Sequence, residues 1–340
     1  MARGLAEAPG DNLNPPRFSL GRFADGRGSF VGMIRGDRVM SLRDLVARTR
    51  QDSKLRLSGD ETMTALLADW DASFAALSAM ADQVGADLGQ PLAATSALCP
   101  IDRPGKIFNA AANYRDHALG MRKTFSGGTV DMSKDTSLDR AKGRPYLFLR
   151  ASSTIAGPYD PIALPPGTQK IDWEAELAAI IGRRGRNIPA AKALGHVAGF
   201  MITNDVSCRD LTWREDRPAL RTDWLGGKSF DGFAPTGPYF VPRAFVPDYG
   251  KLRIRLWVNG APKQDGVAGD MIFSIEDQIE YASRFMALEP GDMFATGTPA
   301  GTGQERGEFL KTGDTVEIEI DGLGRQRNAV VAGTSEYESG

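Results

Sequence analysis

Three carboxylates stand out for the chemistry they could do together: Glu174, Glu176 and Asp205. The first two lie in Ile171-Asp172-Trp173-Glu174-Ala175-Glu176-Leu177, which reads as a strand. Side chains two apart on a strand share a face, with Cα atoms about 6.5–7 Å apart. Two carboxylates of that reach can clamp one cation. On a half-buried strand without a cation they would repel and raise each other's pKa. Asp205 ends the apolar run Gly199-Phe200-Met201-Ile202-Thr203-Asn204, as a buried strand does when it delivers a polar group to a site. Three carboxylates plus water give the oxygen-rich octahedral shell that Mg²⁺ prefers. The Glu-x-Glu spacing alone also fits the solvent face of an amphipathic strand. The following Leu177-Ala178-Ala179-Ile180-Ile181 is apolar on both faces and argues for burial, but spacing leaves both readings open.

The rest of the composition narrows the alternatives. The chain has 340 residues with two histidines and two cysteines. Three-His and Cys-rich zinc sites are thereby excluded, so a metal must be held mainly by carboxylates, which means a hard cation. His117 is the general-base candidate by residue type, because its unperturbed pKa lies near neutrality. His196, between Gly195 and Val197, reads as structural. The Gly297 to Gly303 loop lacks a Lys-Ser/Thr ending and a following apolar helix, so it is not a phosphate cradle. A net charge of −2 predicts no nucleic-acid or anionic-membrane partner. No apolar run approaches the roughly 20 residues of a membrane span. The first residues lack the apolar core of a signal peptide. With two thiols, the expectation is a reduced, cytoplasmic protein.

The elements that must position these residues can be sketched. Residues 1 to 16 read as a flexible tail. Between Phe18 and Val46 short alternations broken by Asp25-Gly26 and Gly36-Asp37 predict antiparallel strands and a short helix. Leu66, Leu67, Trp70, Phe74 and Leu77 predict one amphipathic helix from Glu61 to about Val84. These elements form a small N-terminal domain, 1–100. A strand over Lys106 to Ala111 then leads to a helix bearing His117, with Asn113 as N-cap and Asp116 as its box partner. Residues 122 to 143 are polar and Gly-rich and read as a loop, a lid in the functional version. Asn259-Gly260 and Asp321-Gly322 are hairpin turns. Between them Ser274 caps a helix whose apolar face includes Ile275, Ile279, Ala282, Phe285 and Met286, ending by Pro290-Gly291. The order is α+β with mainly antiparallel strands.

Several segments resemble the fumarylacetoacetate hydrolase family, in the family's order from about residue 105 to 332. Asn113-Tyr114-Arg115-Asp116-His117 is similar to its N-Y-x-D-H, and Asp172 to Leu177 to its D-x-E-x-E-L. Asn204-Asp205-Val206-Ser207-Cys208-Arg209-Asp210 resembles N-D-V-S-x-R-D. Gly227-Lys228-Ser229-Phe230-Asp231 resembles G-K-S-F-D, and Ala295 to Gly303 its A-T-G-T-P-x-G-x-G. The resemblance implies a catalytic domain over 101–335 with the family's mixed β-roll, and a homodimer. It implies Mg²⁺ or Mn²⁺ on Glu174, Glu176 and Asp205, and a small oxo-acid substrate. Lys228 would place a positive charge beside an enolate or a substrate carboxylate, and Tyr114, Arg209 and Thr298 would contact substrate. The expected reaction is hydrolysis of a C–C bond in a β-diketo or acylpyruvate-type acid, with His117 activating water. Decarboxylation and enol–keto isomerisation are the alternatives. Two positions depart from the pattern. Gly120 stands where many members carry a Glu that pairs with the histidine, and Glu305 or Glu308 is the candidate replacement. Thr212 stands where some members have Gln.

Overall fold

The computed structural model describes residues 16 to 334 except 27, 53–55, 102, 126–135, 218 and 221. Of the expected N-terminal tail, 1–16, all but the last residue lies outside the described residues, as does the middle of the expected lid.

Three sheets organise the chain. The first has five strands in the order Gln90–Pro91, Arg38–Ser41, Gly28–Arg35, Ser19–Asp25, Ser96–Leu98. The second has six, in the order Val241–Pro242, Val197–Asn204, Ala175–Ile181, Met293–Ala295, Ile107–Ala110, Leu147–Arg150. The third has five, in the order Ala261–Val267, Arg253–Val258, Thr315–Ile320, Gly324–Ala332, Ile162–Leu164. Pairing is antiparallel except for Met293–Ala295 with Ile107–Ala110, Gly324–Ala332 with Ile162–Leu164, and a two-residue pair between Ala234–Pro235 and Ile155–Ala156. This is the α+β, mainly antiparallel arrangement expected. Both predicted hairpins form; the turn at Asn259-Gly260 has two residues as expected, whereas the one after Ile320 has three, Asp321 to Leu323, because Ile320 pairs with Gly324. Ser274 and Asp277 make a reciprocal capping box on the helix Ile275–Phe285.

The central strand Ala175–Ile181 is buried along its whole length. Leu177, Ala179 and Ile181 join one core cluster with Phe200 and Ile202. Ala178 and Ile180 face a second cluster with Leu20, Leu66, Trp70 and Met80 of the N-terminal unit. Period-two alternation thus packs one strand between two cores. The N-terminal sheet is also tied on by backbone bonds between Leu20 and Phe240, 2.9 and 2.8 Å.

Three expectations about local structure need correction. The helix expected from Glu61 to Val84 is two helices, Met63–Ala68 and Trp70–Ala81, because Asp69 adopts a non-helical backbone (φ −134°, ψ 69°) between them. Asn113 is not an N-cap. Its amide donates to the carbonyls of Phe273 and Thr296 and its oxygen accepts from the Phe273 N–H, so it crosslinks three segments. The loop expected from residue 122 begins later, since the His117 helix runs Arg115–Phe125. Among the described residues no helix is long and apolar enough to cross a membrane.

Candidate metal centre and its base

The segment carrying the glutamates is two strands, Ile171–Asp172 and Ala175–Ile181, with a break at Trp173 and Glu174. The break follows from where the amides go. Trp173 N–H donates to Asp172 Oδ1, Glu174 N–H to Asn204 Oδ1 and Ala175 N–H to Gln264 Oε1, all side-chain acceptors. Glu174 O in turn accepts from Asp205 N–H at 2.9 Å, which locks the two ligand segments together. Carboxylate oxygens of Glu174, Glu176 and Asp205 lie within 4.8 Å of one another, and all three residues are buried. A buried set of three hard oxygen donors fits a divalent cation of the Mg²⁺ or Mn²⁺ type. The solvent-face reading of Glu-x-Glu is therefore excluded.

Three cations surround the triad. Lys228 Nζ donates to Glu174 Oε2 at 2.9 Å and to Asp205 Oδ2 at 2.7 Å. Arg150 donates to Asp205 Oδ1 and to the carbonyls of Val206 (3.1 Å) and Phe233 (2.7 Å). Arg209 bridges Asp172 (2.8 Å) and Glu174. Burial pushes Glu174 up, but Lys228 and Arg209 outweigh it and hold the carboxyl well below its ordinary range. Glu176 goes the other way. Burial and then the charges of Asp205 and Glu174 raise it well above, and the Lys228 charge and the Gly297 N–H at 3.0 Å offset only part of that. Glu176 is thus the carboxylate that most needs a further positive charge.

His117 is buried on its helix. Its Nδ1 lies 2.9 Å from Glu305 Oε1. Glu305 Oε2 accepts from the Gly301 and Thr302 amides, at 2.5 and 3.0 Å. Burial raises Glu305, but the His117 contact and these amides outweigh it, so the carboxyl sits below its usual range. An ionised carboxylate only accepts, so Nδ1 carries the proton and Nε2 is left as the basic nitrogen.

Position 120 explains the choice of acid. A Cβ on Gly120 would stand 2.4 Å from Glu305 Oε1 and 3.0 Å from its Cδ. The carboxylate that faces His117 therefore needs the space a side chain at 120 would fill. Glu308 is not involved; it pairs with Lys263 at 2.5 Å. Gly120→Ala is expected to displace Glu305 and lower kcat by about 10²-fold, the scale of a misplaced catalytic group. In a Glu305→Ala background the same change should cost little further. Steady-state kinetics of the four proteins check this, and additive losses would contradict it.

The remaining expected residues lie close by with other partners. Arg209 is engaged by two carboxylates. Thr298 donates to Ala175 O and accepts from Gln264. Tyr114 is buried, its hydroxyl lacking a partner of ordinary geometry among the described residues. Burial and the charge of Glu176 raise its pKa well above the usual value. His196 contacts Arg183 O at 3.0 Å, through Nδ1. Thr212 bonds Cys208 O. Sequence reasoning missed Arg150, although it ends the apolar Leu147-Phe148-Leu149, the same signal that exposed Asp205. It also gave Asp172 no role.

The family described as fumarylacetoacetate (FAA) hydrolase C-terminal matches residues 106–331. The human mitochondrial oxaloacetate tautomerase FAHD2A is 40% identical over 243 residues, 71% of each chain. A Xenopus laevis oxaloacetate tautomerase is 42% identical over 238 residues, 69% of this chain and 68% of that one. Among solved structures, maleylpyruvate hydrolase from Sphingobium sp. SYK-6, in complex with manganese(II) and pyruvate, aligns with TM-score 0.68 and 29% identity, covering 93% of this chain and 100% of that one. A probable 2-hydroxyhepta-2,4-diene-1,7-dioate isomerase from Mycobacterium abscessus aligns with TM-score 0.68 and 25% identity over 93% and 99% of the two chains. With the matched segment covering most of the chain and the buried carboxylate triad inside it, the protein belongs to the fumarylacetoacetate hydrolase family.

Proposed function

We propose that this chain is a divalent-metal-dependent enol–keto tautomerase of a small 2-oxo acid of the oxaloacetate kind. The observation that carries this reading is a paired base, His117–Glu305, beside a buried carboxylate triad. The relatives at about 40% identity named oxaloacetate tautomerases support it.

Tautomerisation moves one proton between C3 and the 2-oxygen, so it needs a group that takes and returns a proton and a setting that tolerates an enolate. A cation held by Glu174, Glu176 and Asp205 would supply Lewis-acid stabilisation of that enolate. Lys228, fixed between Glu174 and Asp205, adds a second positive charge at the same place. His117 Nε2 takes the proton, and Glu305 holds the ring and stabilises its charged form. Tyr114, buried within reach of the Glu176 charge, is assigned to substrate contact.

Hydrolysis of a C–C bond is the second reading, favoured by the maleylpyruvate hydrolase structure. There His117 would deprotonate a water instead of a carbon. Following oxaloacetate by NMR in D₂O with the Mn²⁺- or Mg²⁺-loaded protein separates the two. Tautomerase action gives accelerated exchange at C3 with the carbon skeleton intact. Hydrolysis gives oxalate and acetate, and decarboxylation gives pyruvate and CO₂; either product set in place of exchange overturns the reading.

We also propose a cytoplasmic homodimer, as the family resemblance implies. Neither Cys99 nor Cys208 is in a disulfide, which fits a reducing compartment. Light scattering on the purified chain measures the subunit number.

A further inference from the structure

We propose that Asp172 is a positioning residue that ties the metal carboxylates to the His117–Glu305 pair, so that one buried side chain sets both halves of the site. The proposal rests on the site reading above, and not on which reaction the site performs.

Asp172 is fully buried and lies outside the carboxylate triad. Its two oxygens take four donors. Oδ1 accepts from Trp173 N–H at 2.8 Å and Gly303 N–H at 2.5 Å. Oδ2 accepts from Arg209 Nε at 2.8 Å and Gln304 N–H at 3.0 Å. A carboxylate offers about four acceptor positions, so none is left for a ligand. Asp172 therefore acts through its neighbours.

Those neighbours lead in two directions. Arg209 continues to Glu174 Oε1, so Asp172 fixes the cation that orients a metal ligand. Gly303 and Gln304 open the short helix Gly303–Arg306, which carries Glu305 and, through it, His117. The approach is close. A Cβ on Gly303 would stand 2.7 Å from Asp172 Oδ1 and 2.2 Å from Glu308 O, so the backbone reaches the carboxylate only without a side chain. The sequence separations are 131 residues to Gly303 and 37 to Arg209, and Asp172 is the point where these distant segments meet.

Asparagine keeps the shape but replaces one acceptor oxygen with a donor, which would face an N–H or the guanidinium. The test measures Mn²⁺ affinity by calorimetry and the His117 ring resonances by NMR. The chain has only two histidines, so the ring is readily assigned. Asp172→Asn is expected to weaken Mn²⁺ binding by about 10- to 100-fold, the usual scale for a residue supporting a ligand. It is also expected to shift the His117 resonances. In a Glu305→Gln background the Mn²⁺ loss should persist while Asp172→Asn adds no further shift at His117. Mn²⁺ affinity within about twofold of wild type, or an equal His117 shift with and without Glu305, overturns the proposal. If Asp172→Asn does not fold, Arg209→Lys replaces it, since a lysine keeps the charge but lacks the guanidinium fork whose separate nitrogens reach Asp172 and Glu174. It should weaken Mn²⁺ binding and move His117 only when Glu305 is present; an unchanged His117 overturns the proposal. None of these readouts uses turnover, so failure of the tautomerase reading shows separately, as absent C3 exchange in wild type.

Discussion

His117→Ala lowers kcat by about 10²- to 10⁴-fold, the range expected when a positioned acid–base group is lost. Substrate KM and Mn²⁺ affinity should change little. The expectation follows from placement. His117 lies outside the triad, and its Nδ1 is committed to Glu305. What the alanine removes is a proton acceptor, not a ligand. Steady-state kinetics with the Mn²⁺-saturated protein separate the cases. A raised KM with unchanged kcat would make His117 a binding residue and contradict its role as base.

The second large effect concerns the triad, and its two sides are not equivalent. Asp205 holds Arg150 and Lys228, so Asp205→Asn leaves two buried cations short of a partner. Breaking buried ion pairs this way costs roughly 3–5 kcal/mol, and the variant should be markedly destabilised. Among the described residues no Lys or Arg pairs with Glu176; its donor is the Gly297 amide. Glu176→Gln removes one of three crowded negative charges and leaves no cation stranded. It should abolish metal-dependent turnover while keeping the metal-free fold at least as stable as wild type. Thermal unfolding in EDTA measures that. Added Mn²⁺ should raise the wild-type midpoint by mass action and leave the variant unmoved. A variant that unfolds in EDTA well below wild type would show that Glu176 serves the fold and not a cation.

The parts of the site that were legible in the sequence were those with local spacing. Glu174 and Glu176 share a face through period two, and Asp205 ends an apolar strand. The break at Trp173 and Glu174 was not legible, because it arises from acceptors on Asn204 and Gln264, far along the chain. Glu305 meets His117 across 188 residues. Gly120 announced only that an acid was missing, and its empty Cβ position shows why the acid comes from elsewhere. Arg209 was expected to contact substrate; its type suited an anion, but the anions it meets are Asp172 and Glu174. The single helix expected over Glu61 to Val84 failed at Asp69, where apolar periodicity continues through a backbone break that periodicity does not report.

The central claim is that Glu174, Glu176 and Asp205 hold one divalent cation. Calorimetric titration of Mn²⁺ into wild type and Glu176→Gln tests it most directly. The account predicts one saturable site per chain in wild type and its loss in a folded Glu176→Gln protein. Equal Mn²⁺ affinity in the two proteins would contradict it.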